Sequence, residues 1–297
     1  MNTLRSATIR RAFATAVVAA ISTAGLAACA DGGDSAESGQ PAATTAASSP
    51  ATAASSTSTV PTGAEAVLAA SFTRQGFPAD VGVALAPVGG GDVYTFGDQT
   101  PRVAWSTIKV PLALAAKRKN GWMPEIENAI VDSDNDAALA LRKSLGSPSS
   151  GRNQVEAVFR DGGDTTTRVV EIKADDETFG LTPWPLEGAA TFGSNLPCLD
   201  DSKEIVRLMG RVADNQEWGI RTMDAPKKTS VKGGWGPGDQ GGVEVRQLGL
   251  ITHKDGSQTA VAMSTYSGDP MGTGVAVLNK VADWLDKNIA KLPKGRC

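Results

Sequence analysis

The sequence contains one histidine, His253, and three cysteines, Cys29, Cys198 and Cys297, in 297 residues. That is too few to assemble the usual zinc ligand set, so neither a metal nor any other cofactor is expected. His253 lies in a turn with Asp255 and Gly256, and nothing ties it to a serine as a Ser-His-Asp triad requires. Charge of one sign is also lacking. Twenty-nine basic residues face 32 acidic ones, for a net charge of −3, and no basic cluster follows the N-terminus. A nucleic-acid partner is therefore not expected. The apolar run from Ala12 to Ile21 is shorter than the roughly 20 residues needed to span a bilayer.

What is present begins with a targeting pattern. Arg5, Arg10 and Arg11 precede the apolar run, and Leu26-Ala27-Ala28-Cys29 follows it, so residues 1–28 read as a signal peptide. The last four residues resemble a bacterial lipobox, which implies lipid on Cys29 and a protein exported and anchored at the outer face of the cell membrane. An ordinary signal peptide with a nearby cysteine is the alternative. Arg10-Arg11 leaves the export route open between the general and twin-arginine systems. Residues 29–62 are mostly Ala, Ser, Thr, Gly and Pro. Without bulky apolar side chains they cannot offset the entropy cost of ordering, and they read as a flexible linker spanning on the order of 30 Å. In the oxidising exterior the remaining cysteines, Cys198 and Cys297, permit one disulfide; two free thiols are the alternative.

Residues 63–297 suit a single domain. The patterning gives a helix over Gly63–Gly76, then a hairpin of Val81–Val88 and Val93–Phe96 around Gly89-Gly90-Gly91. Helices over Ser106–Lys119 and Pro124–Leu145 follow. Residues 146–197 read as irregular, and Ser202–Asn215 as helical. Strands are expected over Lys228–Lys232, Val243–Thr252 and Thr259–Thr265, and a last helix over Gly274–Leu292. This is an α+β order in which both ends of the chain build one antiparallel sheet.

Three motifs carry chemistry. Ser106-Thr107-Ile108-Lys109 opens a helix; residues three apart share a helix face, and a lysine kept neutral by burial can take the serine proton. Ser133-Asp134-Asn135 offers a hydroxyl that can pass a proton to a leaving group, although it also reads as a polar helix cap. Lys232-Gly233-Gly234 closes a strand before Trp235. A strand edge can present an N–H to a substrate carbonyl, but a hairpin turn would have the same look.

In this order the three motifs resemble the serine β-lactamase and penicillin-binding-protein superfamily, and the elements around them match over about 65–297. The resemblance implies an α+β, β-lactamase/transpeptidase-like fold acting on β-lactams or D-Ala-D-Ala-type peptides of peptidoglycan. It makes Ser106 the acylated nucleophile, Lys109 its base, Ser133 the proton shuttle and Asn135 a ligand of Lys109 and substrate. Lys232 becomes the electrostatic anchor. Gly233, Gly234 and Trp235 line the substrate strand, and Arg246 lies where relatives often place a carboxylate-binding arginine, with an ordinary exposed strand arginine as the alternative. The backbone N–H groups of Ser106 and Trp235 would form the oxyanion hole.

The chain also departs from that pattern. Ser106 and Ser133 are 27 residues apart, which implies a shortened helical lobe. Gly233 stands where the family usually has a hydroxyl residue. The loop at Gly163–Lys173 lacks the Glu-x-x-Leu-Asn segment that activates the deacylating water, and Glu171 lies near that position by counting only. Slow deacylation is expected. Phe179-Gly180-Leu181-Thr182-Pro183-Trp184 reads as a plug against the short lobe, with a substrate wall as the alternative. A protein that keeps the scaffold for binding or envelope structure, without turnover, is the competing reading.

Overall fold

In a computed structural model, residues 63–171, 179–238, 241–268 and 270–297 are described. The expected signal peptide, Cys29 and the linker over 29–62 lie outside the described residues. Helix α1 (Ala64–Thr73) leads into β1 (Gly82–Pro87) and β2 (Tyr94–Gly97). A 3-10 turn, Trp105–Ile108, opens directly into α2 (Lys109–Asn120). The helical lobe adds α3 (Pro124–Val131), α4 (Asn135–Ser144), α5 (Pro148–Asp161), α6 (Leu186–Asn195) and α7 (Lys203–Met209). Strands β3 (Lys228–Pro237), β4 (Val243–Thr252) and β5 (Gln258–Ser267) follow, and α8 (Met271–Lys287) closes the chain. The strands form one antiparallel sheet in the order β2-β1-β5-β4-β3. The α+β fold, with its sheet drawn from both ends of the chain, is as expected.

Both faces of the sheet are covered, so its central strands are buried on both sides. On β1, Ala84 and Ala86 face the helical lobe, while Val83 and Leu85 face α1 and α8. Small residues recur on the lobe side because α6 lies close against the sheet: a Cβ at Gly193 would stand 3.1 Å from Leu248 Cδ1. Aromatic edge-to-face contacts hold the two layers. Trp284 meets Phe72 and Phe96 on one side, and Trp184 meets Phe159 and Phe192 on the other.

Four expectations need correction. The helix read over Pro124–Leu145 is two helices, α3 and α4, because Ser133 takes a positive φ of 57° and Asp134 caps α4 by accepting from Ala137 N at 2.6 Å. The apolar period runs through the break and hides it. The stretch 146–197 is not irregular, since it contains α5 and α6; Ser147 capping and Pro148 in the first turn were the overlooked start signals. The helix at Ser202–Asn215 ends at Met209, before Gly210. Strand β3 runs to Pro237, so Lys232-Gly233-Gly234 lies inside a strand rather than at its end.

Cys198 and Cys297 are joined by a disulfide with Cα atoms 5.2 Å apart across a sequence separation of 99. Gly295 also exchanges backbone hydrogen bonds with Gln258, so the end of the chain is held to the sheet. Loop-closure entropy for a ring of that size corresponds to about 4–5 kcal/mol in the chain-entropy account. Cys297→Ser is therefore expected to lower the unfolding free energy by roughly 2–5 kcal/mol, read as a reduced urea midpoint with a steeper slope, since the unfolded chain without the ring exposes more surface.

Candidate active site

The cleft forms where the turn before α2 meets β3 and the segment 179–184. Backbone bonds from Ala104 N to Thr182 O and from Trp105 N to Gly180 O, both 2.7 Å, join the first and last of these. Gly234 brings β3 close: a Cβ there would lie 3.0 Å from both Ala104 O and Ser106 N. The resulting cavity of about 410 Å³ is lined by Trp105, Ser106, Asn135, Val170, Phe179, Gly180, Leu181, Trp235, Gly236 and Pro237. A neighbouring cavity of about 680 Å³ shares Trp105, Leu181 and Pro237 with it.

Behind the cleft, two buried lysines converge on Ser133. Lys109 Nζ donates to Ser133 O at 2.7 Å and Asn135 Oδ1 at 2.6 Å, with Ser133 Oγ farther off at 3.5 Å. Lys232 Nζ donates to Ser133 Oγ at 2.8 Å, Gln216 Oε1 at 2.6 Å and Gly233 O at 2.9 Å. Burial pushes the Lys109 amine down to about 8, with Asp134 opposing the shift. Burial also pushes Lys232 well below the usual lysine range, reinforced by the charge of Lys109. Both amines charged at once would be buried and mutually repulsive, so the pair gives up a proton more readily than a free lysine does. Lys109 has two short acceptors and Lys232 three.

Strain is concentrated here. Among the described residues, the non-glycine residues with positive φ are Trp105 (44°), Ser133 (57°) and Phe179 (68°). Two of them line the cleft and the third binds both lysines. Each such conformation costs on the order of 1–3 kcal/mol and persists only where the surroundings enforce it. Trp105 also buries its indole N–H without a hydrogen-bond partner.

The fold thus brings Lys109, Ser133, Asn135 and Lys232 into one network, with Ser106, Asn135 and Trp235 on the cleft and Gly233 and Gly234 in its strand. Arg246 is a correction. Only 2% exposed, it lies beneath the strand and donates to the carbonyls of Arg102, Val103 and Trp184 at 2.8–3.1 Å. Burial lowers its pKa to about 10. It clamps the turn that carries Ser106 and is out of reach of a substrate carboxylate. Glu171 is exposed and does not line the cleft. Phe179 and Trp184 are buried, as a plug requires, but Phe179 and the exposed Leu181 also form cleft wall. His253 is far from this network, donating to or accepting from Thr259 Oγ1 at 2.9 Å. Among the described residues no cluster of His, Cys, Asp or Glu could hold a metal ion, and no helix is long and apolar enough to cross a membrane.

Sequence reasoning passed over Gln216 and Trp218. Gln216 is fully buried; its amide nitrogen donates to the carbonyls of Ile130 and Val131, and its oxygen accepts from Lys232 Nζ and Gly233 N. Trp218 covers Gly233, where a Cβ would stand 2.8 Å from its ring. Neither belongs to a motif. The only available hint was a glutamine and a tryptophan in the polar stretch Asp214–Trp218.

No protein-family model and no curated protein matches the chain in sequence. Solved structures do match it in fold. The TLA-3 extended-spectrum β-lactamase superposes with a TM-score of 0.62 at 15% identity, over 76% of this chain and 99% of that one. A β-lactamase from Burkholderia vietnamiensis gives 0.59 at 18% identity, over 77% and 97%. A reconstructed ancestral class A β-lactamase gives 0.56 at 20% identity, over 76% and 99%. The fold is β-lactamase-like.

Removing the Gln216 amide would take an acceptor from Lys232 Nζ and the Gly233 N–H and a donor from the Ile130 carbonyl, while Val131 O keeps its bond from Ala213 N. With about 1–3 kcal/mol for each buried group left unsatisfied, Gln216→Leu is expected to lose on the order of 3 kcal/mol or more in urea unfolding. Gln216→Asn with an added water would recover part of that loss.

Proposed function

We propose that this chain is an exported serine acyl-enzyme of the cell envelope, acylated on Ser106 by β-lactams or D-Ala-D-Ala-type peptides and slow to deacylate. One observation carries the reading: two buried lysines share Ser133, and Ser106 lines the cleft together with Asn135, which binds one of them. In this scheme the neutral Lys109 amine takes the Ser106 hydroxyl proton as Oγ adds to the acyl carbon. The N–H groups of Ser106 and Trp235 stabilise the oxyanion. As the tetrahedral intermediate collapses, Ser133 gives its proton to the leaving group and is reprotonated from Lys109. Lys232, donating to Ser133 Oγ, leaves that hydroxyl's own hydrogen free to point toward the leaving group. Asn135 fixes Lys109 and offers its amide N–H to the substrate.

Slow deacylation rests on the loop at Gly163–Lys173, which lacks the Glu-x-x-Leu-Asn segment. A non-catalytic binding role on the same scaffold is favoured by one feature, the Trp218 ring over Gly233. Lipid on Cys29 as the anchor at the outer face of the membrane rests on the pattern Leu26-Ala27-Ala28-Cys29.

Incubation with a fluorescent penicillin is expected to give a long-lived covalent adduct, seen by intact mass and absent from Ser106→Ala. A folded wild-type protein with no adduct would refute acylation. Because Lys109 acts only when neutral and its pKa is about 8, the acylation rate should rise with pH, falling about tenfold per unit below that value and levelling above it. A flat profile from pH 6 to 9 would remove Lys109 as the base. An alkynyl palmitate should label the wild type in a bacterial host and not Cys29→Ser.

A further inference from the structure

We infer that, among acyl donors, the cleft gains nothing from a carboxylate beside the scissile bond, so that uncharged esters, amides or lactams acylate it at least as readily as the penicillins and D-Ala-D-Ala-type peptides that carry one. The inference rests on Ser106 acylation and narrows what acylates it. A carboxylate in a site of this kind needs a hydroxyl or a cation at the middle of the Lys-x-Gly strand, and each candidate is already committed elsewhere. At position 233 there is no side chain, and there is no room for one: a Cβ would be 2.8 Å from the Trp218 ring and 3.4 Å from that of Trp235.

Trp218 is not a movable cover. It is only 5% exposed, its indole N–H donates to Asn215 O at 2.9 Å, and its carbonyl accepts from Gln247 Nε2 at 2.8 Å. The following residue, Gly219, has a φ of 61° and donates its N–H to Asn279 Oδ1 at 2.6 Å. The ring is thus fixed from both sides of its own backbone.

The cations are equally committed. All three protons of a Lys232 ammonium are taken by Ser133, Gln216 and Gly233, and the side chain is fully buried. Lys109 spends its two short bonds on Ser133 and Asn135. Arg246 donates to three backbone carbonyls beneath the strand. None of the described residues that line the cleft carries a charge. A carboxylate bound there would surrender its hydration without a charged partner, which is the costly case for burying an ion. An ester or amide loses little, and the indole rings of Trp105 and Trp235 supply apolar contact in its place.

The test compares a penicillin with its methyl ester on the wild-type protein. Adduct formation on Ser106 is timed by intact mass, and each rate is normalised to the compound's alkaline hydrolysis. The ester is expected to react as fast as the acid or faster. Any normalised preference for the acid overturns the inference while leaving acylation intact, and a recognised carboxylate should give about tenfold or more. If neither compound forms an adduct on folded protein, the acylation reading fails and the selectivity falls with it. The double variant Trp218→Ala/Gly233→Thr makes room for the hydroxyl and should shift the ratio toward the acid. The wild-type ratio decides the matter even if that variant does not fold.

Discussion

Two lysine amines buried against one serine set the terms for everything around them. Burying a lysine is unfavourable unless its protons find acceptors, and here the acceptors are neutral: the carbonyl and hydroxyl of Ser133, the amides of Asn135 and Gln216, and the carbonyl of Gly233. Offering both the carbonyl and the hydroxyl of one residue to two partners is what the left-handed turn at Ser133 achieves. That turn in turn breaks the helical lobe into α3 and α4. Gln216 then ties the network to the last turn of α3 and to the backbone of β3. Lobe and sheet are therefore fastened at the point where the chemistry is proposed to occur.

A second device holds the other wall. Arg246 reaches from β4 under β3 and collects carbonyls from both Arg102–Val103 and Trp184, the two segments whose backbone bonds frame Trp105. A guanidinium offers five donors in a plane, so one side chain can lock two passing segments where a lysine could not. This clamp supports Trp105 and Phe179 in conformations that neither would adopt unaided.

Much of this was legible in the sequence. Ser-x-x-Lys, Ser-Asp-Asn and Lys-x-Gly picked out Ser106, Lys109, Ser133, Asn135 and Lys232, and the fold brings these residues to one cleft and the network behind it. Strands β1 and β5 were legible because two-sided burial leaves near-continuous apolar runs. What escaped was set by tertiary context. Apolar periodicity cannot register a single left-handed residue, so α3 and α4 read as one helix. An arginine on a strand looks the same in sequence whether it faces solvent or a stack of carbonyls, and Arg246 was misjudged for that reason. Gln216 and Trp218 act through a neighbour that arrives from elsewhere in the chain, and no local pattern marks them.

The bond between Cys198 and Cys297 also has a mechanical meaning. It closes a covalent ring that contains β3, β4, β5 and α8. Tension applied between the two ends of the domain passes from Cys297 straight to Cys198 and bypasses everything in between. At about 3.5 Å of extended chain per residue, a separation of 99 residues withholds roughly 350 Å of contour length from any pull. Under load such a domain can give up α1, the first hairpin and α2 to α6, but α7, the strands that carry Lys232 and Arg246, β5 and α8 cannot be drawn out until the sulfur–sulfur bond is cut.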